Sequence, residues 1–446
     1  MDALTIIRKL LLRASLLLGF LVALTLFINL SWFDEALHPD LERLVTPQDV
    51  SMADNVYPLI YGFSAAEDRD FRQAGMDIIA RLRERFERGE RATLTGEEIE
   101  SILGTSEIED TWREALPALQ CNARSELDCA DRLIVEIQKT GRLEPRVRLL
   151  LSRYETILDA TRFAENQEFD AYTPIPAYRP LLDISRVRLA AGFSDRPIDE
   201  LLDAVRQDVQ FWRLVLRDGQ SLVAKMVALA GLRNDATFLS ALMRSRSPDQ
   251  QALERIARIA APLTNQTRDI GETFLAELRI SLLSSKGFGV LSEGPSWLHV
   301  LALQERATIN EYYLKTTVAL RLRASLSAEE FFRQRGYEPL SYEVRAFPPP
   351  LYNLGGKFVL KWIASEMNVQ DYISRVHDLD GRLALVALQA EVLARAGHPA
   401  AEVVRLSDHR NPYTREPMDW DPAAGTIGFD CLANGSDTCA LLVRNR

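Results

Sequence analysis

Residues Ala14 to Phe33 read ASLLLGFLVALTLFINLSWF, twenty residues without a charge. At about 1.5 Å per residue they build a helix about as long as the hydrocarbon core of a bilayer is thick, which reads as a membrane span. Arg8, Lys9 and Arg13 precede it, and Asp34, Glu35, Asp40 and Glu42 follow it. The positive-inside bias then leaves residues 1–13 in the cytoplasm and carries everything after Phe33 across the membrane. A cleaved signal peptide would have an apolar core of about 7–15 residues ending in small residues. Here the apolar run is longer, and its exit, Ile28-Asn29-Leu30-Ser31-Trp32-Phe33, is bulky, with Trp32 suited to the outer headgroup layer. Other apolar runs, such as Leu383 to Leu388, are far short of a crossing and are flanked by charge.

The chain has 63 acidic and 53 basic residues, net −10; residues 1–33 hold three basic and one acidic residue, so the part beyond Phe33 carries −12. Such a domain is repelled by nucleic acid and by anionic lipid while staying soluble. With 47% hydrophobic and 26% charged residues it is globular in composition.

Cysteine usage agrees with export. Cys121 and Cys129 stand eight apart, as do Cys431 and Cys439, and none lies before the span. An even count in two local pairs suits an oxidising compartment and predicts two structural disulfides, each adding roughly 2–3 kcal/mol by the loop-entropy estimate. Structural zinc sites use shorter Cys spacing, with histidine where a mixed site is built, and neither pair has a histidine close by in sequence.

Beyond the span the chain reads as helix after helix. Leu94-Thr95-Gly96-Glu97-Glu98-Ile99 has Thr95 as N-cap, Glu98 closing a capping box and Leu94 against Ile99 as a hydrophobic staple; Leu326-Ser327-Ala328-Glu329-Glu330-Phe331 repeats the device. Ser247-Pro248-Asp249-Gln250 marks a third start, with Pro248 at the first helical position and Leu253, Ile256, Ala257 and Ala260 on one stripe behind it. From Pro197 to Met243 apolar residues recur on one side, and Gly231 to Asp235 reads as a break that makes a tight helix hairpin. No fixed repeat period is present, so an irregular multi-helix bundle or array is expected rather than a repeat solenoid. Loops fall at Tyr172 to Pro180, Gly287 to Pro295 and Phe347 to Gly356; the last, with Pro348-Pro349-Pro350, is the expected boundary between an exported α-helical domain at 34–346 and a C-terminal part at 357–446.

That C-terminal part reads as helices at Lys357 to Met367 and Asp371 to Ala396, a Gly397-His398-Pro399 break, and a small β-hairpin from Gly425 onward, turning at Asn434-Gly435 and stapled by Cys431 and Cys439. The expected fold class is therefore mainly α, with one N-terminal transmembrane helix and a C-terminal β-hairpin. The loop Asn411-Pro412-Tyr413-Thr414-Arg415-Glu416-Pro417-Met418-Asp419-Trp420 follows the long amphipathic helix. This order of helix, Asn/Asp-Pro-aromatic-Thr-x-x-Pro loop and short strand resembles the C-terminal segment of uncharacterised bacterial membrane-anchored envelope proteins, and more distantly that of type II secretion pseudopilins, over about residues 355–430. It departs from pseudopilins because over 300 residues separate span and sheet and no prepilin-type Gly-Phe cleavage site is present, so filament assembly is not implied. In that loop Asn411, Pro412, Pro417 and Trp420 are expected to form turns and fill core.

No nucleophile-elbow, zinc-protease, P-loop or dinucleotide-binding motif occurs, and no cofactor or metal is expected. His377-Asp378-Leu379-Asp380-Gly381 groups a histidine with carboxylates, but lacks the ligand spacing of a calcium loop and reads as a capped or solvated helix turn. Ser296 with His299, and an anion cradle at Gly355-Gly356-Lys357, are weaker groupings. The expectation is a single-pass inner-membrane protein whose periplasmic helical domain binds another envelope protein, in a scaffold, assembly or immunity-type role, without catalysis. The rival expectation is a periplasmic hydrolase acting on cell wall or lipid.

Overall fold

The computed structural model describes residues 3–45, 50–52, 54–90, 93–104, 111–122, 125–165, 172–193, 195–284, 304–334, 352–357, 360–361, 369–433 and 438–443. The chain is mainly α with a small C-terminal sheet, as expected. It forms two compact units, each assembled from separate stretches of sequence: one from 1–46, 278–320 and 337–368, the other from 47–277, 321–336 and 369–446.

The first unit begins with helix α1 (Ala3–Ile28). Its window Ile7–Ile28 has a mean hydropathy of 2.3, and none of its residues is buried in the protein. At about 1.5 Å per residue that window is long enough to cross a bilayer. The helix starts earlier than the uncharged run and stops before Phe33, because Asn29 turns its side chain back on the helix and Ser31–Phe33 tighten into a 3₁₀ turn. Helix α2 (Pro39–Val45) follows. The unit is completed by segments from the later part of the chain, described with the site below.

The second unit contains helices α3 (Tyr57–Tyr61), α4 (Phe71–Glu87), α5 (Gly96–Leu103), α6 (Thr111–Glu114), α7 (Cys129–Thr140), α8 (Pro145–Leu158), α9 (Tyr178–Gly192), α10 (Ile198–Asp218), α11 (Leu222–Arg246), α12 (Gln250–Ile259) and α13 (Asn265–Arg268). Both capping boxes form as read, Thr95 with Glu98 and Ser327 with Glu330. The third start is corrected: Asp249 is the N-cap of α12, accepting from Ala252 N–H, whereas Ser247 closes the preceding helix in a left-handed conformation. Asp249 supplies a side-chain acceptor in extended backbone, which Pro248 cannot.

The hairpin expected at Gly231 to Asp235 is also corrected. α11 runs unbroken through it, and the break lies at Gly219–Ser221. Gly231 is there for contact: a Cβ on it would sit 2.3 Å from Cδ2 of Trp212 on α10. An isolated glycine in a helical pattern here marks close helix packing rather than a turn. α11 is buried along most of its length and packs against α7, α9, α10 and the long helix Val369–Ala394, so it is the axis of this unit. A second glycine pair brings α3 and α4 into backbone contact, since a Cβ on Gly75 would lie 1.8 Å from the Pro58 carbonyl oxygen and one on Gly62 equally close to that of Phe71.

The sheet has three antiparallel strands, one more than the expected hairpin, in the order β1 (Asp419–Asp421), β2 (Thr426–Gly428), β3 (Ala440–Leu442). Trp420 pairs with Ile427 and Ile427 with Leu441. Ile427 and Leu441 are buried, and β2 and β3 pack on the helix Val369–Ala394. The turn at Asn434-Gly435, the loop 287–295, and Ser296 and His299 lie outside the described residues, as do most of the helix expected at 357–367 and residues 347–351 of the proline-rich boundary.

Candidate functional site

The densest set of long-range polar contacts in the first unit surrounds the residues that leave α1. Asn29 is 1% exposed. Its Nδ2 donates to Thr25 O at 2.8 Å, closing the helix, and its Oδ1 accepts the backbone N–H of Asn353 at 2.7 Å. Asn353 adopts a left-handed backbone with φ 52°, a conformation asparagine tolerates better than most residues. Its own Oδ1 accepts from Gln304 N–H at 3.0 Å, and its Nδ2 donates to the Thr308 hydroxyl at 3.0 Å. Gln304 Nε2 donates to Leu30 O and Tyr352 OH to Phe33 O, at 3.0 and 2.9 Å. Asn29 Oδ1 and the Leu30 and Phe33 carbonyls at the end of α1 are thus matched by residues about 270 to 325 positions later.

The next residues are held by the helix Glu305–Tyr312, which has no side-chain cap of its own. Asp34 supplies one from a distance, its carboxylate accepting Arg306 and Ala307 N–H at 3.0 Å each. A carboxylate there satisfies two orphan donors and meets the positive end of the helix. Asn310 Oδ1 accepts His38 N–H and its Nδ2 donates to Ala36 O, both at 2.9 Å. Tyr313 OH donates to Asp40 at 2.9 Å, with its ring 5.1 Å from that of His38. Tyr313 opens a π-helical turn, Tyr313–Thr317. Burial, then the Glu35 and Asp34 charges, push the Tyr352 hydroxyl up to about 12, so it stays a donor. Burial and Asp34 likewise raise the Glu305 carboxyl. Chemically the arrangement is a collar that fixes backbone.

Gly356 completes the collar. A Cβ there would lie 2.0 Å from Thr308 Oγ1 and 2.3 Å from Asn353 Oδ1. Gly356→Ala is therefore expected to displace Asn353, destabilise the collar by about 1–3 kcal/mol, and open residues 29–40 to limited proteolysis. Unchanged cleavage kinetics in that segment would show that the collar does not depend on Gly356.

In the second unit, His377-Asp378-Leu379-Asp380-Gly381 lies on the helix Val369–Ala394, as read, but buried instead of solvated. Asp378 accepts from Tyr413 OH at 2.6 Å and from Leu432 and Ala433 N–H at 2.9 Å each. Asp380 accepts Leu263 N–H at 2.7 Å and meets Arg268 at 3.4 Å. His377 is pushed down to about 4 by burial and then by Arg268, so it is neutral and packs its ring 5.2 Å from Phe331. Gly381 gives room to Phe429 and Pro412. The group thus pins the C-terminal segment. Asn411 forms a turn through Oδ1, which accepts from Tyr413 and Thr414 N–H, while Pro412 is half-buried, Pro417 exposed and Trp420 half-buried. The core expected of Trp420 is supplied by Tyr413 and Met418; β2 and β3 pack on the helix Val369–Ala394, whereas β1, which carries Trp420, packs on the helix Ala400–Leu406. Cys121 with Cys129 and Cys431 with Cys439 lie at disulfide-bonding distance, each with Cα atoms 5.5 Å apart.

Two buried ionic groups escaped the sequence reading. Asp208 on α10 is fully buried, and its oxygens accept from Tyr154 OH at 2.5 Å and Ser185 Oγ at 2.6 Å. Asp235 on α11 adjoins it and is held far above the carboxylate range, first by burial and then by the Asp208 charge. At the α10–α11 junction Glu165, 3% exposed, accepts Gln220 N–H, Ser221 N–H and Ser221 Oγ, while Glu277 accepts Leu222 N–H. Lys225 donates to the last carbonyls of α10, Leu216 and Arg217, and burial pushes it down to about 8. The one signal was spacing: Asp208 stands on the same stripe as Val205, Trp212 and Val215, where a solvated acid would not sit. Comparison of the chain with protein-family models, with curated proteins and with solved structures gives no match.

Proposed function

We propose that this chain is a single-pass inner-membrane protein whose apolar helix is retained as an anchor and whose helical domain, in the periplasm, binds another envelope protein. The observation that carries the reading is the collar. Asn29 to Asp40, the residues that signal cleavage would separate or fray, are built into a folded unit with residues 304–356. The flanking charges and the paired cysteines support the outward orientation.

For the partner, the support is surface chemistry. The part beyond the span is acidic and favours a basic protein surface. In one short loop Tyr172 and Ile175 stand 37% and 65% exposed, large apolar side chains of the kind a protein contact covers. The buried acids Asp208, Asp235 and Glu165 are consumed by contacts inside the protein and reach no substrate, which favours a binder over the hydrolase.

The test uses the full chain in cells, with a photo-crosslinking residue at position 175 and a compartment-sensitive reporter after Arg446. Expected are reporter activity outside the cytoplasm only, an intact N-terminus upstream of Ala14, and one discrete protein adduct. A mature chain starting beyond Trp32, or a reporter active in the cytoplasm, would overturn the anchor; lipid or no adduct would overturn the binder.

A further inference from the structure

The two cysteine pairs sit in different electrostatic surroundings. Cys129 is the first residue of α7, whose N-cap Asp128 makes no side-chain cap bond, so Cys129 stands at the positive end of a twelve-residue helix. One turn on, Arg132 Nη2 lies against Cys121 Sγ and 4.0 Å from Cys129 Sγ. Glu126 and Asp128 share that guanidinium, and a Glu126 oxygen lies within 4.8 Å of both sulfurs, so the cation is held in place by acids while touching sulfur itself. Cys121 is half-buried and Cys129 is 1% exposed, which leaves Cys121 as the sulfur an outside reagent reaches. At the other pair the group within 4.8 Å of both sulfurs is the buried Asp378 carboxylate, engaged with the backbone of Leu432 and Ala433 next to Cys431, while the buried Arg382 guanidinium donates to the Thr438 carbonyl next to Cys439.

A thiolate is stabilised by a helix N-terminus and an adjacent guanidinium, and opposed by a buried carboxylate. A disulfide whose reduced form is stabilised is the more readily reduced of two. We propose that Cys121–Cys129 is a thiol–disulfide exchange site opened by an external dithiol, and that Cys431–Cys439 is a permanent staple. A thiolate of the dithiol attacks Cys121 Sγ; a new S–S bond forms as the old one breaks, and the electron pair leaves on Cys129 Sγ at the head of α7. The second thiol of the dithiol, losing its proton to solvent, then attacks its own partner's sulfur in the mixed disulfide, and the pair leaves on Cys121 Sγ against Arg132. The dithiol ends oxidised to a disulfide, and Cys121 and Cys129 have gained two electrons.

The surroundings let the bond open without loss of the fold. The 3₁₀ turn Pro117–Gln120 ahead of Cys121 is held separately, by Arg186 donating to the Ala118 and Leu119 carbonyls at 3.2 and 2.8 Å and by Glu136 accepting Ala118 N–H at 2.8 Å.

The test equilibrates the purified, detergent-solubilised full chain with graded ratios of reduced to oxidised dithiothreitol, traps thiols by alkylation and reads each cysteine by peptide mass spectrometry. Cys121 and Cys129 should be half-reduced at a ratio about tenfold lower than Cys431 and Cys439, equivalent to about 30 mV. Arg132→Gln should move the first midpoint toward the second, and Arg132→Lys should keep most of the difference, with circular dichroism confirming the fold of each. Joint reduction of the two pairs, earlier reduction of the C-terminal pair, or an unmoved midpoint in Arg132→Gln would overturn the proposal. The measurement is made on isolated protein, so its outcome is separate from membrane orientation.

Discussion

Gly75→Ala is expected to be among the most damaging single-methyl changes in the second unit. The added Cβ would lie 1.8 Å from the Pro58 carbonyl oxygen and 3.0 Å from the Gly62 nitrogen, both backbone atoms that no rotamer change can move. α3 must therefore back away from α4. The turn after α3 cannot follow freely, because Arg153 donates to the Phe63 and Ala66 carbonyls at 2.9 and 2.8 Å and Arg146 to those of Ser64 and Ala65 at 2.7 and 2.9 Å. Arg153 is buried, pushed down to about 10 by that burial and by Arg146, and has little freedom to find new acceptors. Overpacking costs about 1–3 kcal/mol where side chains can yield, and buried donors left unpaired add about 1–3 each, so a loss above about 3 kcal/mol is expected. Chemical denaturation monitored by the tyrosines of α3 reads it. A loss below about 1 kcal/mol would mean that the two helices slide apart without disturbing the turn.

Asp208→Ala should cost about as much, for an electrostatic reason. It removes the acceptor of Tyr154 and Ser185 and the negative charge facing Arg188, which keeps its bonds to Glu155 at 2.7 Å, to the Ala204 carbonyl and to Gln207. Breaking a buried charge network by removing one member typically costs about 3–5 kcal/mol, here a fall in Tm on the order of 10 °C. Asp235→Asn should behave in the opposite way. Neither Asp235 oxygen accepts a hydrogen bond, and the carboxyl faces the Asp208 carboxylate, to which a protonated acid could donate; an amide donates in its place. Because the folded pKa is raised, the folded chain binds a proton that the unfolded chain releases near pH 4, and stability falls as pH rises through the window between those two values. Asp235→Asn should match or exceed the parent protein at pH 7, with the gap closing as pH is lowered toward 4. If it proved as harmful as Asp208→Ala, Asp235 would have to be ionised in the folded protein.

The features that could be read in advance share a short range. Thr95 with Glu98, and Ser327 with Glu330, are three residues apart, so the chemistry of a helix start is complete within one turn. The apolar helix near the N-terminus is legible for the same reason, and the cysteine pairs are eight apart. Misreadings arose where one residue type serves two ends. Gly231 has the composition of a break, yet it serves a contact with an indole 19 positions earlier; Trp420 has the bulk of a core residue but falls on an edge strand, and Tyr413 takes its role. The collar was invisible because Asn29 and Asn353 are unremarkable in their own neighbourhoods, and only the fold brings them together. Asp208 and Asp235 could have been suspected from their place on apolar stripes, although nothing local announces that they meet.

The first unit is interrupted in sequence by residues 47–277, and this sets a clock on the protein's maturation. A ribosome makes about 5–20 residues per second, so some tens of seconds separate the emergence of Asn29 from that of Gln304 and Asn353. Throughout that interval the end of the apolar helix waits with its polar groups unmated, open to chaperones and proteases. The latch closes only after most of the polypeptide has been made, so a prematurely terminated product would carry its own mark for removal.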